Sequence, residues 1–236
     1  MAHIHDENCN HDHEVKTESP SGIASSATPV IIVGTDADAR VAADLATVQE
    51  IVVYGFMTTN AEDEGKELND ISILMRLDSS EGKKFLDKES VEVIVAARDI
   101  AERKDLAKKV EVRAAHVVNL IYPDIIISPY SRLGKGNIIL SGLVVLANSQ
   151  IGSYNSIQSQ VFLDADVSVG NFCTLQAGVK IGRGVIIDDE AFIGMGAMIA
   201  SGVKIGKGAL VAPGAVVLQS VKDGEKVFGN PASKKG

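Results

Sequence analysis

The sequence predicts a small parallel α/β domain followed by a long parallel β-helix, and three observations carry that reading. From Ile121 to Val217 every sixth residue is Ile, Leu or Val, with no position failing. Glycine directly follows many of these aliphatics, at Gly134, Gly152, Gly170, Gly182, Gly194 and Gly206. Ahead of this region, between residues 29 and 118, short apolar runs alternate with helix-like stretches. A period of six is not helical, so a long amphipathic helix is excluded.

Taken in order, residues 1–28 are polar and close with Ser-Pro-Ser-Gly-Ile-Ala-Ser-Ser-Ala-Thr. Too little apolar surface is available there to offset the entropy of ordering, which predicts a disordered tail. His3, His5, Cys9, His11 and His13 lie in it without a fixed ligand spacing. A solvated acidic tail is the simpler reading, and a metal-binding tract the alternative. Residues 29–34, Pro-Val-Ile-Ile-Val-Gly, read as a buried strand ending in a glycine turn. Asp36 or Asp38 can then cap a helix over Ala39–Leu45. Ile51–Phe56, Ile71–Met75 and Val91–Ala96 read as further strands, and Asp99–Lys109 as a helix. Alternating elements of this kind build a parallel sheet with helices against it, over residues 29–118.

The β-helix is expected over residues 119–221. Six residues in extended conformation make one side about 20 Å long, and three sides close a triangular coil with the aliphatic pointing inward on each. Small or β-branched residues precede most aliphatics by two, as at Val161, Val167, Cys173 and Val179. Glycines and small residues are expected at the corners, where a Cβ is not tolerated. Coils hydrogen-bond to their neighbours, so no repeat stands alone. Residues 222–236 form a C-terminal segment containing Phe228-Gly229-Asn230-Pro231-Ala232.

Composition agrees with a core of stacked aliphatics: aromatics make up 4% of the chain and Trp is absent. The net charge of −8 argues against a general nucleic-acid or anionic-membrane binder. Cys9 and Cys173 are the two cysteines, too far apart in sequence to suggest a disulfide framework. The opening residues lack the basic-then-apolar pattern of a signal peptide. No apolar run approaches the roughly 18 residues of a membrane span. A cytoplasmic protein is the expectation.

On these motifs the chain resembles the NeuD/PglD-like sugar O/N-acyltransferases, over residues 29–232. The resemblance rests on the strand–glycine turn–helix opening, the hexapeptide repeats and the terminal Gly-Asn-Pro-Ala. It implies a Rossmann-like N-terminal domain, a left-handed coil and a homotrimer. It also implies acetyl-CoA in the groove between adjacent β-helices, a nucleotide sugar on the N-terminal domain, and a His that deprotonates the sugar amine. The family's acid–His–acid triplet corresponds to Asp164-Ala165-Asp166, so the imidazole is replaced by a methyl group. A second family His corresponds to Thr174, and the glycine facing the thioester oxygen to Arg183. His116 is the one histidine outside the tail, and it precedes the β-helix. The nucleotide turn keeps Gly34 but carries Asp36 and Asp38 where phosphates would lie, with Arg40 as partial compensation. Met57-Thr58-Thr59 stand where the family has a base-reading Asp.

The candidate catalytic residues are therefore Asp166, Asp164 and Thr174, with Ala165 at the family His position. Arg183, Ser201, Gly202 and Pro213 are the candidates for lining an acetyl-CoA site, and Gly34 and Arg40 for contacting a nucleotide. Two readings stay open: an acyl-CoA-dependent transferase working without imidazole, because loss of a general base forfeits about 10²–10⁴ in rate rather than all of it, and a non-catalytic trimeric scaffold or regulatory paralogue. Metal handling by the tail is a third. Phe162, Phe172 and Phe192 are outward or corner residues that either pack between subunits or cover the coil beneath.

Overall fold

In the computed structural model the described residues are 22–87, 91–113 and 116–234. The histidine-rich tract lies outside them. Residues 22–28, grouped with the tail by composition, are tethered: Ile23 bridges to Asn119, and Ala24 is buried and donates its N–H to the Asn119 carbonyl at 2.9 Å.

The N-terminal domain grows from β1 (Val30–Val33), whose four residues are all buried. Side chains alternate across a strand, so Val30 and Ile32 enter one core layer and Ile31 and Val33 the other. Gly34 ends the strand at φ +125°, where a Cβ would fall 1.8 Å from the Ala96 carbonyl oxygen. Helix α1 (Ala37–Val48) follows, with Asp36 as its cap. Next come β2 (Val53–Thr58), β3 (Glu67–Leu68), β4 (Ile71–Arg76), α2 (Ser80–Leu86), β5 (Glu92–Val95), α3 (Ile100–Glu111) and β6 (His116–Val117). The sheet order is β3-β4-β2-β1-β5-β6, parallel except for β3. It reverses direction between β1 and β5, the place where doubly wound sheets open a crevice. This is a Rossmann-like arrangement, as expected. Helix α1 runs past both ends of the predicted span. Helix α2 was not expected: it is seven residues long and buries only Gly82, Phe85 and Leu86, too few to show a period.

From Leu120 the chain forms seventeen two-residue strands, β7 (Leu120–Ile121) to β23 (Val216–Val217), one every six residues. Each of β7 to β20 pairs in parallel with the strand three ahead, so Val144, Phe162 and Lys180 sit one above another at an 18-residue pitch. This is the left-handed parallel β-helix. The period-six aliphatics fill its interior, and all except Ile127 and Leu133, in the first coils, are buried. Burying each contributes about 1.5–3 kcal/mol. Residues two before them complete the core, Val161, Cys173, Val179 and Ala197 among them.

The glycines following the aliphatics are explained by contact rather than by conformation. A Cβ on Gly194 would lie 2.4 Å from the Pro213 nitrogen in the next coil. Left-handed backbone occurs three residues after the aliphatic instead, at Gly178, Gly184 and Gly202, and also at Asp166, Tyr154 and Phe172.

The three sides of the prism carry different outward residues. The first face, beginning at β7, presents Ile138, Ser156 and Thr174 to the N-terminal domain, then Phe192 and Leu210. The second presents Ile126, Val144, Phe162, Lys180, Met198 and Val216. The third presents Arg132, Gln150, Ser168, Ile186 and Lys204. After the last coil, β24 (Lys226–Phe228) adds to the first face and β25 (Ser233–Lys234) folds antiparallel onto β24. At the other end, Leu120 and Ile138 join the core of the N-terminal domain.

Candidate functional site

The residues Asp164, Ala165 and Asp166 turn the chain from the second face to the third, between β14 (Phe162–Leu163) and β15 (Ser168–Val169). Their backbone is fixed by the coils on either side. Asp166 N–H donates to the Ala147 carbonyl at 3.0 Å, and Gly184 N–H to the Ala165 carbonyl at 3.0 Å. Gly202 N–H in turn donates to the Arg183 carbonyl at 2.8 Å. Ala165, Arg183 and Ser201 therefore stand one above another on a single edge, with Gly202 beside Ser201.

The chemistry of this edge is that of two carboxylates and a guanidinium. Asp164 Oδ1 accepts from the Ala165 N–H at 2.7 Å and lies 3.9 Å from Arg183 Nη2. Ser149 Oγ donates to the Asp164 carbonyl at 2.8 Å, locking the turn from within the coil. Asp166 is exposed, with φ +61°, and its Oδ1 accepts from Asn148 Nδ2 at 3.3 Å. Each carboxylate thus accepts one of these hydrogen bonds, and Asp164 also lies near the Arg183 guanidinium. The methyl group of Ala165 supplies neither donor nor acceptor.

The other predicted residues lie elsewhere. Pro213 is on the edge between the first and second faces, above Gly194. Gly34 and Arg40 belong to the N-terminal domain, where Arg40 is exposed on α1. Thr174 is buried on the first face and turned toward α3.

What meets Thr174 is Arg103, which is 2% exposed and was not singled out from sequence. Its Nη1 donates to the Ala97 carbonyl at 2.8 Å. Its Nη2 reaches the carbonyls of Phe172 at 3.0 Å and Cys173 at 3.3 Å, and Thr174 Oγ1 at 3.0 Å. One guanidinium thus ties α3 and the loop after β5 to three consecutive residues of the β-helix. Burial lowers the Arg103 pKa from its usual value, opposed by the charge of Asp38. Burial, then the neighbouring Asp36 charge, raises Asp38 above the ordinary carboxylate range. Ser156 Oγ lies 3.5 Å from Asp38 Oδ2.

Around this cluster Tyr154 and Phe172 stack at 5.1 Å with planes 4° apart, and Tyr154 OH donates to Glu111 at 2.9 Å. Lys104 pairs with Glu190 at 2.7 Å. Two open depressions of about 430 and 440 Å³ flank α3, and neither reaches the Ala165 edge. Among the described residues no cluster of His, Cys, Asp and Glu side chains is arranged to hold a metal ion, and no helix is long and apolar enough to cross a membrane.

Residues 184–219 match the family model described as bacterial transferase hexapeptide (six repeats). No curated protein matches the chain by sequence. Among solved structures, the chain is similar to a GDP-perosamine N-acetyl transferase from Caulobacter crescentus, a histidine-to-alanine mutant in complex with CoA and GDP-perosamine. That match has 26% identity and a TM-score of 0.80, covering 88% of this chain and 97% of the other. The acetyltransferase domain of PglB from Neisseria gonorrhoeae matches at 22% identity and a TM-score of 0.77, over 88% and 99% of the two chains. WeeI from Acinetobacter baumannii matches at 23% identity and a TM-score of 0.63, over 88% and 100%. With its Rossmann-like domain set before a left-handed hexapeptide β-helix, the chain has the fold and domain order of the NeuD/PglD-like sugar acyltransferases.

Proposed function

We propose that this chain is a cytoplasmic, homotrimeric, acyl-CoA-dependent acyltransferase that moves an acetyl group onto a sugar amine or hydroxyl without an imidazole base. The observation that carries the reading is where the Asp164-Ala165-Asp166 edge lies. It borders the second face, whose outward residues Ile126, Val144, Phe162, Met198 and Val216 form an apolar stripe interrupted only by Lys180. Met198 is 47% and Ile126 63% exposed. Packing this stripe against further copies of the chain buries it and turns the adjoining edge into a groove lined by Arg183, Ser201 and Gly202.

Likeness supports the ligand class. The Caulobacter enzyme is an N-acetyl transferase, and its histidine-to-alanine mutant is seen with both CoA and GDP-perosamine. An alanine in place of a histidine is thus compatible with both ligands in that protein. In the reaction proposed here, the acceptor amine attacks the thioester carbon, the C–N bond forms and the C–S bond breaks. The CoA thiolate leaves, and the ammonium proton passes by way of Asp166 or water to that thiolate, giving free CoA thiol. Proximity supplies much of the acceleration, with Asp166 as a weak base.

A second reading is favoured by one observation: Asp164 is engaged by the Ala165 N–H and lies near Arg183, a poor arrangement for a base. On that reading the chain is a non-catalytic trimeric scaffold. Calorimetry with acetyl-CoA separates the two. Binding with a dissociation constant at or below about 1 mM, followed by turnover in a screen of amino sugars, supports the transferase. Absence of acetyl-CoA binding to folded trimer sinks it and leaves the scaffold.

A further inference from the structure

Open α/β sheets take ligands at the carboxyl ends of their strands, where the strand order reverses. In this chain that point lies between the loops after β1 and β5. A phosphate held there needs free N–H groups at the start of α1 and no competing negative charge.

Asp36 removes both conditions. Its Oδ1 accepts from the N–H groups of Asp38 at 2.9 Å and Ala39 at 3.1 Å. Its Oδ2 accepts from the N–H of Arg98, on the β5 side, at 2.7 Å. An ordinary helix cap accounts for the first oxygen but not for the second, which reaches across the crevice. The two loops are already in contact below it, since a Cβ on Gly34 would strike the Ala96 carbonyl. Behind them, the Ala97 carbonyl is held by Arg103. The rim carries further carboxylates: Glu102 is raised above its ordinary value by burial and then by the charges of Asp36, Asp99 and Asp105, while the charges of Arg103 and Arg98 lower Asp38 in partial compensation.

We infer that Asp36 is a built-in anion filling the nucleotide crevice, so that the acceptor is an amine- or hydroxyl-bearing sugar without a diphosphate handle. The first half stands on the crevice alone. The second rests on the acyltransferase reading given above.

The test uses the full chain and the Asp36→Gly variant, titrated calorimetrically with UDP, GDP and inorganic pyrophosphate. Glycine frees all three N–H groups and is tolerated at a helix cap. The wild type is expected to bind none of the three at concentrations up to about 1 mM, and Asp36→Gly to bind at least one of them about tenfold tighter or better. Wild-type binding of UDP or GDP below about 100 μM, or a folded Asp36→Gly no better than wild type, overturns the inference. Should Asp36→Gly fail to fold by circular dichroism, Asp36→Asn is read instead: it keeps a capping oxygen and drops the charge. A smaller gain is expected from it, and no gain overturns the inference. Acetyl-CoA titrated into the same samples reports on the β-helix separately. Its failure to bind would sink the transferase reading while leaving the nucleotide result to stand.

Discussion

Arg103 Nη2 lies 3.0 Å from Thr174 Oγ1, joining the third helix of the N-terminal domain to a β-helix residue 71 positions away in the chain. The same nitrogen serves the carbonyls of Phe172 and Cys173, so the junction depends on a planar fork rather than on charge alone.

Replacing that fork should loosen the junction. Arg103→Met leaves buried acceptors unsatisfied and should cost about 3 kcal/mol in urea unfolding. Arg103→Lys should recover little of it, because an ammonium cannot span the Ala97 carbonyl and Thr174 together. A loss below about 0.5 kcal/mol for Arg103→Met would show that apolar packing alone holds the two domains.

Asp38 should make its effect felt through pH. Its folded-state pKa is raised by burial, above the 3.8 of a free side chain. The folded state therefore holds that proton more tightly, and stability from this group is lost as pH rises through the folded value. Asp38→Asn should raise the melting temperature at pH 7, and the gain should fade as pH falls toward 3.8. A gain that persisted at pH 3 would point to packing instead of ionisation.

Ala165→His tests the edge directly. If the groove holds acetyl-CoA, restoring an imidazole between Asp164 and Asp166 should raise acetyl transfer about 10²-fold or more. The increase should appear in kcat with KM for acetyl-CoA little changed. Unchanged turnover with acetyl-CoA still bound would mean that the acceptor, not the base, is what the site lacks.

Met198→Asp places a charge on the apolar second face at an exposed position. Sedimentation should show wild-type trimers and variant monomers, with acetyl-CoA binding lost in parallel. A monomeric wild type that still binds acetyl-CoA would refute the shared groove.

Cys173 should be inert. Its thiol is buried, which pushes its pKa up to about 12, and its Sγ faces the Asp188 carbonyl at 3.2 Å. In a Cys9→Ser background no thiol should react with Ellman's reagent until the protein is unfolded. Cys173→Ser should cost no more than about 1 kcal/mol, because Ser149 at the equivalent place already donates to the Asp164 carbonyl. Rapid native labelling would mean that the coil opens there.

The β-helix was legible in sequence because each coil repeats one local requirement: an aliphatic inward at every sixth position. Its corners were less so. Tyr154 and Phe172 adopt positive φ although neither is glycine, and stacking plus the α3 contacts hold them there. Asp36 as cap and Gly34 as turn could be read from local chemistry. The second oxygen of Asp36 and the reach of Arg103 could not, since each joins segments far apart in sequence. Ala165, Arg183 and Ser201 fall on one edge of the coil because 18 residues separate each from the next. Pro213 belongs to another edge, because a match to a repeat does not say which of the three corners a residue turns.

A column of parallel coils has no intrinsic length, since each coil leaves unpaired amides and carbonyls for another to meet. Here β24 and the antiparallel β25 extend the first face past the last coil at one end, while Leu120 and Ile138 sink into the N-terminal domain at the other. The terminal segments thus act as stoppers. They make a structure capable of endless axial growth into a discrete molecule, and they leave its sides, not its ends, as the surfaces through which it can assemble.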